Sequence, residues 1–88
     1  MSITIEIPLF LRPFTANNDT VEVSGATVGD CLDTLAVKYP EMREWLFDST
    51  GILKAIVVVN RQIVPQKDLN TAVSDNDQIS IIMPAGGG

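Results

Sequence analysis

One helical segment stands among strand-like segments in this sequence, and that arrangement limits the folds that the chain can adopt. Apolar residues repeat at intervals of three and four, which places them on one stripe of a helix: Val28, Cys31, Leu32, Leu35, Ala36 and Tyr39. Thr27 is the expected N-cap, and Pro40 ends the helix because proline disfavours helical geometry at the residue before it. A single helix of this length covers only one face of a sheet.

The segments on either side of this helix predict the strands of that sheet. Residues 3–9 alternate in character, so one set is expected to face the helix: Ile3, Ile5, Ile7 and Leu9. Residues 20–23 resume the alternation after a polar turn at 16–19 and complete a hairpin. Beyond the helix and a further helical turn at 41–47, residues 54–60, 62–64 and 78–83 predict three more strands. We therefore expect an α+β fold with a mixed sheet of four or five strands and one main helix.

The second face of this sheet has no helix to cover it. If Ile79 and Ile81 of the last strand face the helix, Ile82 faces the other way, as Phe10 does after the first strand. Large apolar side chains on an uncovered face are typical of a surface that binds a partner. Phe10 and Ile82 are therefore candidate docking residues.

Composition excludes several classes of function. The sequence has no histidine, which excludes Ser-His-Asp and Cys-His catalysis and metal sites built on histidine. Cys31 lies on the inward stripe, where we interpret it as a core residue and not a nucleophile. Asp75 and Asp77 look like paired carboxylates, but we interpret them as turn residues and not as an acid–base pair. The net charge of −5 argues against nucleic acid as a partner.

We expect the chain to be cytoplasmic and, when alone, monomeric. The longest apolar run, residues 55–59, is too short to span a membrane, and residues 1–4 lack the basic start of a secretory signal. One cysteine cannot form an internal disulfide, which fits a reducing compartment.

The sequence ends in three glycines, Gly86, Gly87 and Gly88, directly after the last predicted strand and Pro84. We expect a folded domain over residues 1–85 and a flexible tail over 86–88. Without side chains, such a tail can pass through a narrow channel and present its carboxylate to a partner. Taken alone, the glycines are equally consistent with an inert end.

Several short motifs occur in the order and at the distances found in one known family. The first three are a strand leading to an aromatic residue (3–10), a helix start (26–29) and a leucine-rich helix ending in Tyr39-Pro40. The others are a turn at Val59-Asn60, a leucine followed by an acidic turn (Leu69 and Asp75-Asn76-Asp77), and a proline followed by terminal glycines (Pro84 and 86–88). In these features the chain resembles the MoaD/ThiS family of ubiquitin-like sulfur carrier proteins over nearly its whole length. It departs from the family at Asn76, where glycine is usual, and at Gly86, where a small or polar residue is frequent.

This resemblance implies a β-grasp fold. It also implies that the chain is a carrier, acting as a co-substrate or as the small subunit of a synthase, and not an enzyme. A partner similar to ubiquitin-activating enzymes would use ATP to adenylate the carboxylate of Gly88, with Gly86 and Gly87 threaded into its site. A sulfur donor would then form a thiocarboxylate for a sulfur-accepting synthase. The family's docking patch corresponds to Phe10, Ile63 and Ile82. The chain itself is expected to bind no ATP and no metal, because it lacks a phosphate-binding glycine loop.

The resemblance leaves the destination of the sulfur open. Length and the extra segment at 41–51 favour the molybdopterin-type and cysteine-forming carriers over the shorter thiamine type. Two other functions stay open as well. One is a ubiquitin-like modifier that forms isopeptide bonds with lysine, and the other is a non-catalytic binding module with an inert tail.

Overall fold

The computed structural model of the chain describes residues 2–83. The strands are β1 (Ile3–Glu6), β2 (Thr20–Val23), β3 (Ile56–Val59), β4 (Gln62–Ile63) and β5 (Gln78–Ile82). The helices are α1 (Val28–Lys38) and α2 (Met42–Leu46), with two 3-10 helices at Leu9–Thr15 and Gln66–Asp68. Among the described residues, none of these helices has the length and apolar character needed to cross a membrane.

The five strands form one mixed sheet in the order β2-β1-β5-β3-β4. The two neighbours β1 and β5 run parallel, and the other pairs are antiparallel. Because parallel strands end at the same edge of a sheet, the chain leaves β1 and β5 at the same end of the molecule. With α1 on one face, this confirms the mixed sheet with one main helix that the sequence pattern predicts and the β-grasp fold that the family resemblance implies.

The core lies between one face of the sheet and α1. The predicted inward residues of the central strands, Ile3, Ile5, Ile79 and Ile81, are all buried. On α1 the stripe from Val28 to Ala36 is buried as predicted, and Tyr39 is half-buried. The hydroxyl oxygen of Thr27 accepts a hydrogen bond from the backbone N–H of Asp30 at 3.1 Å, which confirms the N-cap. The further helical turn is α2, whose Met42 and Leu46 close one end of the core.

The prediction for Leu9 is wrong. Its side chain is 74% exposed, whereas Leu11 is fully buried. The strand pattern stops at Pro8, which is extended (φ −65°, ψ 151°) and caps the 3-10 helix Leu9–Thr15. Three residues per turn replace the two-residue repeat of the strand there, so residues two apart, such as Leu9 and Leu11, no longer share a face.

Candidate functional site

The face of the sheet opposite α1 has an apolar half, built on the last strands of the chain. Ile56 and Val58 of β3 are half-buried there. Ile82 of β5 pairs with Ile56, and Ile63 of β4 pairs with Val58. Since directly opposed residues project to the same face, these four side chains form one apolar strip (Ile56, Val58, Ile63 and Ile82). Ile63 is 70% exposed and Ile82 is 47% exposed, so the structure brings two predicted docking residues together.

The other half of this face, on β1, β2 and the start of β5, is polar. The carboxylate of Glu6 accepts hydrogen bonds from the side-chain amide of Gln78 at 3.0 Å and the hydroxyl of Ser80 at 3.2 Å. Glu22 pairs with Thr4 in the neighbouring strand and adds a second exposed carboxylate. The open face therefore changes from acidic to apolar across the sheet.

Phe10, the third predicted docking residue, is exposed as expected but lies outside the strands. It belongs to the 3-10 helix Leu9–Thr15, beyond the C-terminal end of β1, and 63% of its surface is accessible. Its ring meets the ring of Trp45 edge-on, with centroids 5.1 Å apart and an interplanar angle of 89°. Because β1 and β5 are parallel neighbours, Phe10 and Ile82 lie toward the same end of the sheet.

Two features of this end escaped sequence reasoning. Leu9 adds exposed apolar surface beside Phe10, and Trp45 contacts both Phe10 and Phe14. Pro8 and Pro13 were the available signals for Leu9, since two prolines within six residues do not fit a continuing strand. No local pattern links Trp45 to Phe10, which is 35 positions away in the chain.

The predicted site of chemistry lies outside the described residues. Gly86, Gly87 and Gly88 all fall beyond residue 83, as does Pro84. Met83, the last described residue, is half-buried and packs against the core. The chain thus stays attached to the domain up to the residue that precedes Pro84.

The buried thiol and the paired carboxylates have structural explanations. Cys31 is fully buried, and this burial raises the pKa of its thiol, with the nearby carboxylate of Asp30 adding to the effect. Asp75 accepts a hydrogen bond from the backbone N–H of Ser2 at 2.7 Å. The carboxylate of Asp77 accepts one from the backbone N–H of Ser74 at 2.8 Å. These contacts confirm the roles of Cys31 as a core residue and of Asp75 and Asp77 as turn residues.

Three comparisons with known proteins bear on this site. The ThiS family model matches residues 5–88. The "Sulfur carrier protein CysO" of Mycobacterium tuberculosis (strain H37Rv) is 33% identical over 93 aligned positions that cover 100% of both chains.

Solved structures give similar results. The small archaeal modifier protein 1 (SAMP1) from Methanosarcina acetivorans superposes with a TM-score of 0.86 at 26% identity, covering 99% of this chain and 96% of that one. A chain of the BexX/CysO complex from Amycolatopsis orientalis superposes with a TM-score of 0.84 at 28% identity, covering 98% of this chain and 99% of that one. The similarity therefore includes the sheet that carries the apolar strip.

Proposed function

This chain belongs to the ThiS family, and from that membership we propose that it is a sulfur carrier whose Gly88 carboxylate becomes a thiocarboxylate. The observation that carries the proposal is the end-to-end identity of 33% with a sulfur carrier protein. The family match also extends through Gly88. The sulfur would be delivered in cysteine or cofactor biosynthesis, in the cytoplasm, where ATP is available.

The proposed chemistry takes place in the sites of partner enzymes. A carboxylate is a poor electrophile, so an oxygen of Gly88 first attacks the α-phosphorus of ATP, and pyrophosphate leaves. A sulfur nucleophile, hydrosulfide in the simplest case, then attacks the acyl carbon. The bond to the AMP oxygen breaks, AMP leaves, and a thiocarboxylate remains. Gly86 and Gly87 would fit a narrow channel because they carry no side chains. The chain acts as a co-substrate, and ATP binds to its activating partner.

Docking would involve the apolar strip and Phe10. Exposed isoleucine and phenylalanine side chains contribute most of their binding energy when a partner removes them from water. Ile63 and Ile82 are exposed on one face of the sheet. Phe10 lies beyond the C-terminal end of β1, toward the same end of the sheet as Ile82. The acidic half, with Glu6 and Glu22, favours a partner whose surface is apolar on one side and basic on the other.

A ubiquitin-like modifier is the second candidate. It is supported by the TM-score of 0.86 with a small archaeal modifier protein, whereas the 33% identity with a sulfur carrier protein favours the carrier. Both functions begin with the same adenylate. They differ in the nucleophile that attacks the acyl carbon, which is sulfur for a carrier and the amine of a target lysine for a modifier.

Adenylation is tested by pyrophosphate exchange with the adenylyltransferase that activates this chain. The wild-type chain should support ATP–pyrophosphate exchange, whereas deletion of Gly88, or addition of one alanine after it, should abolish exchange. Urea unfolding should be unchanged in both variants, since neither alters the described fold. Exchange that persists in either variant would contradict Gly88 as the activated residue.

A further inference from the structure

The ring of Phe10 is exposed, yet the fold restrains it. The 3-10 helix that carries it is anchored in the core, because Leu11 and Thr15 are both fully buried. The single proton of the Thr15 hydroxyl is shared between the carbonyl oxygens of Asn18 and Arg12, at 3.0 and 3.3 Å. The Phe10 ring packs edge-on against the Trp45 ring, with centroids 5.1 Å apart, which is within the range that aromatic pairs prefer.

Trp45 is itself held by the core. It lies on α2 between Met42 and Leu46, both of which are fully buried. Its ring also packs against Phe14, with centroids 5.5 Å apart and an interplanar angle of 38°. Trp45 is half-buried, so it joins an exposed aromatic residue to the interior of the domain.

We propose that Trp45 is a positioning residue, which holds the Phe10 ring in the orientation that the activating enzyme binds. The inference rests on the proposed function, in which Phe10 takes part in docking on a partner, and it assigns the activating enzyme as that partner. A side chain that is already ordered loses less conformational entropy on binding than a free one. Trp45 therefore contributes to affinity through the order that it gives to Phe10.

The contact can be measured without a partner. Trp45 is the one tryptophan of the chain, so the intrinsic indole fluorescence reports on it alone. Phe10→Ala should shift the emission to longer wavelength, because water replaces the ring that covers the indole. Val37→Ala, at an exposed site on α1, is the control and should leave the emission unchanged. Equal emission from the wild type and Phe10→Ala would overturn the inference.

Steady-state adenylation of the carrier provides the functional test. Trp45→Ala should raise the KM for the carrier roughly three- to tenfold, the factor that one aromatic pair contributes, with kcat unchanged. Trp45→Phe should keep the KM within about twofold of the wild-type value, because the phenylalanine ring at position 45 can still pack against Phe10. Phe47→Ala is the control for a general loss of packing, since Phe47 is half-buried in the same segment and has no ring contact with Phe10. It should leave the KM unchanged.

A double-mutant cycle separates positioning from independent docking. If Trp45 acts through Phe10, the double variant Phe10→Ala/Trp45→Ala should have the same KM as Phe10→Ala. Effects that multiply, or a Phe10→Ala variant with unchanged KM, would overturn the inference while adenylation of the wild type still supports the proposed function. A wild-type chain that is not adenylated at all would refute the proposed function, and the inference with it.

Discussion

Arg61 has the largest positive φ among the described residues other than glycine, at 72°. With Asn60 at 50°, it forms a two-residue turn of the kind that joins β-strands, in which asparagine followed by glycine is preferred. This turn fixes the pairing of β4 with β3 and thereby places Ile63 on the open face.

Replacing Arg61 with glycine should stabilise the domain. A side chain at positive φ costs about 1 to 2 kcal/mol, and part of this gain is lost because glycine is more flexible when unfolded, so we expect about 0.5 to 1 kcal/mol. The midpoint of urea unfolding should rise for Arg61→Gly and fall for Asn60→Ala. A lower midpoint for Arg61→Gly would show that the side chain makes a contribution that outweighs the backbone cost.

Asp48 should make the stability of the chain depend on pH in the acid range. A hydrogen bond from the Thr50 hydroxyl, followed by those from the backbone N–H groups of Ile52 and Thr50, lowers the pKa of Asp48. A carboxyl whose pKa is lower when folded stabilises the fold above its unfolded pKa, about 4, and this stabilisation is lost as the pH falls through the folded pKa.

The matched variant is Asp48→Asn, which removes the charge. It should be less stable than the wild type at pH 7, and the difference should shrink as the pH is lowered through that range. Urea unfolding at several pH values gives the measurement. A difference between the two proteins that is constant with pH would mean that the ionised carboxylate is not the stabilising form.

At the scale of elements, the 3-10 helix after β1 is where the fold departs from the sequence pattern. Leu9 and Leu11 are chemically identical and two residues apart, yet one is 74% exposed and the other fully buried. Leu11→Ala should cost about 2 to 5 kcal/mol, whereas Leu9→Ala should change the free energy of unfolding by less than about 0.5 kcal/mol. Similar costs for the two substitutions in denaturant unfolding would show that the strand alternation, which places both residues inward, continues through Leu9.

Elements with a local cause were predictable from the sequence. The stripe of α1, its Thr27 cap and the alternation of Ile79, Ile81 and Ile82 each follow from the repeat of one element, so they needed no knowledge of the fold. The contact of Trp45 with Phe10 depends on how α2 packs against the 3-10 helix, and no repeat encodes that. The strip shared by Ile63 and Ile82 likewise depends on the order of the strands in the sheet.

Across the molecule, the sheet buries one face against α1 and leaves the other face, which carries the apolar strip, open. Ile63→Asp should weaken binding to the activating enzyme, since it places a charge in the apolar strip. Val37→Asp is the control, because Val37 is 75% exposed but lies on α1, on the far side of the sheet from that strip. We expect loss of binding by isothermal titration calorimetry for the first variant alone. Equal affinities would remove the strip from the docking surface.

The mass of the intact protein shows whether the activated chain carries sulfur at Gly88, as we propose. The chain is incubated with its activating enzyme, ATP and hydrosulfide, and then alkylated, because oxidation of a methionine adds nearly the same mass as an oxygen-to-sulfur exchange. A Cys31→Ala background removes the only other thiol. We predict one alkylated sulfur in place of one oxygen, located by fragmentation to Gly88. An unmodified chain, under conditions that thiolate a known carrier, would contradict sulfur transfer to Gly88. A chain that is found only in isopeptide linkage to lysine would also contradict it.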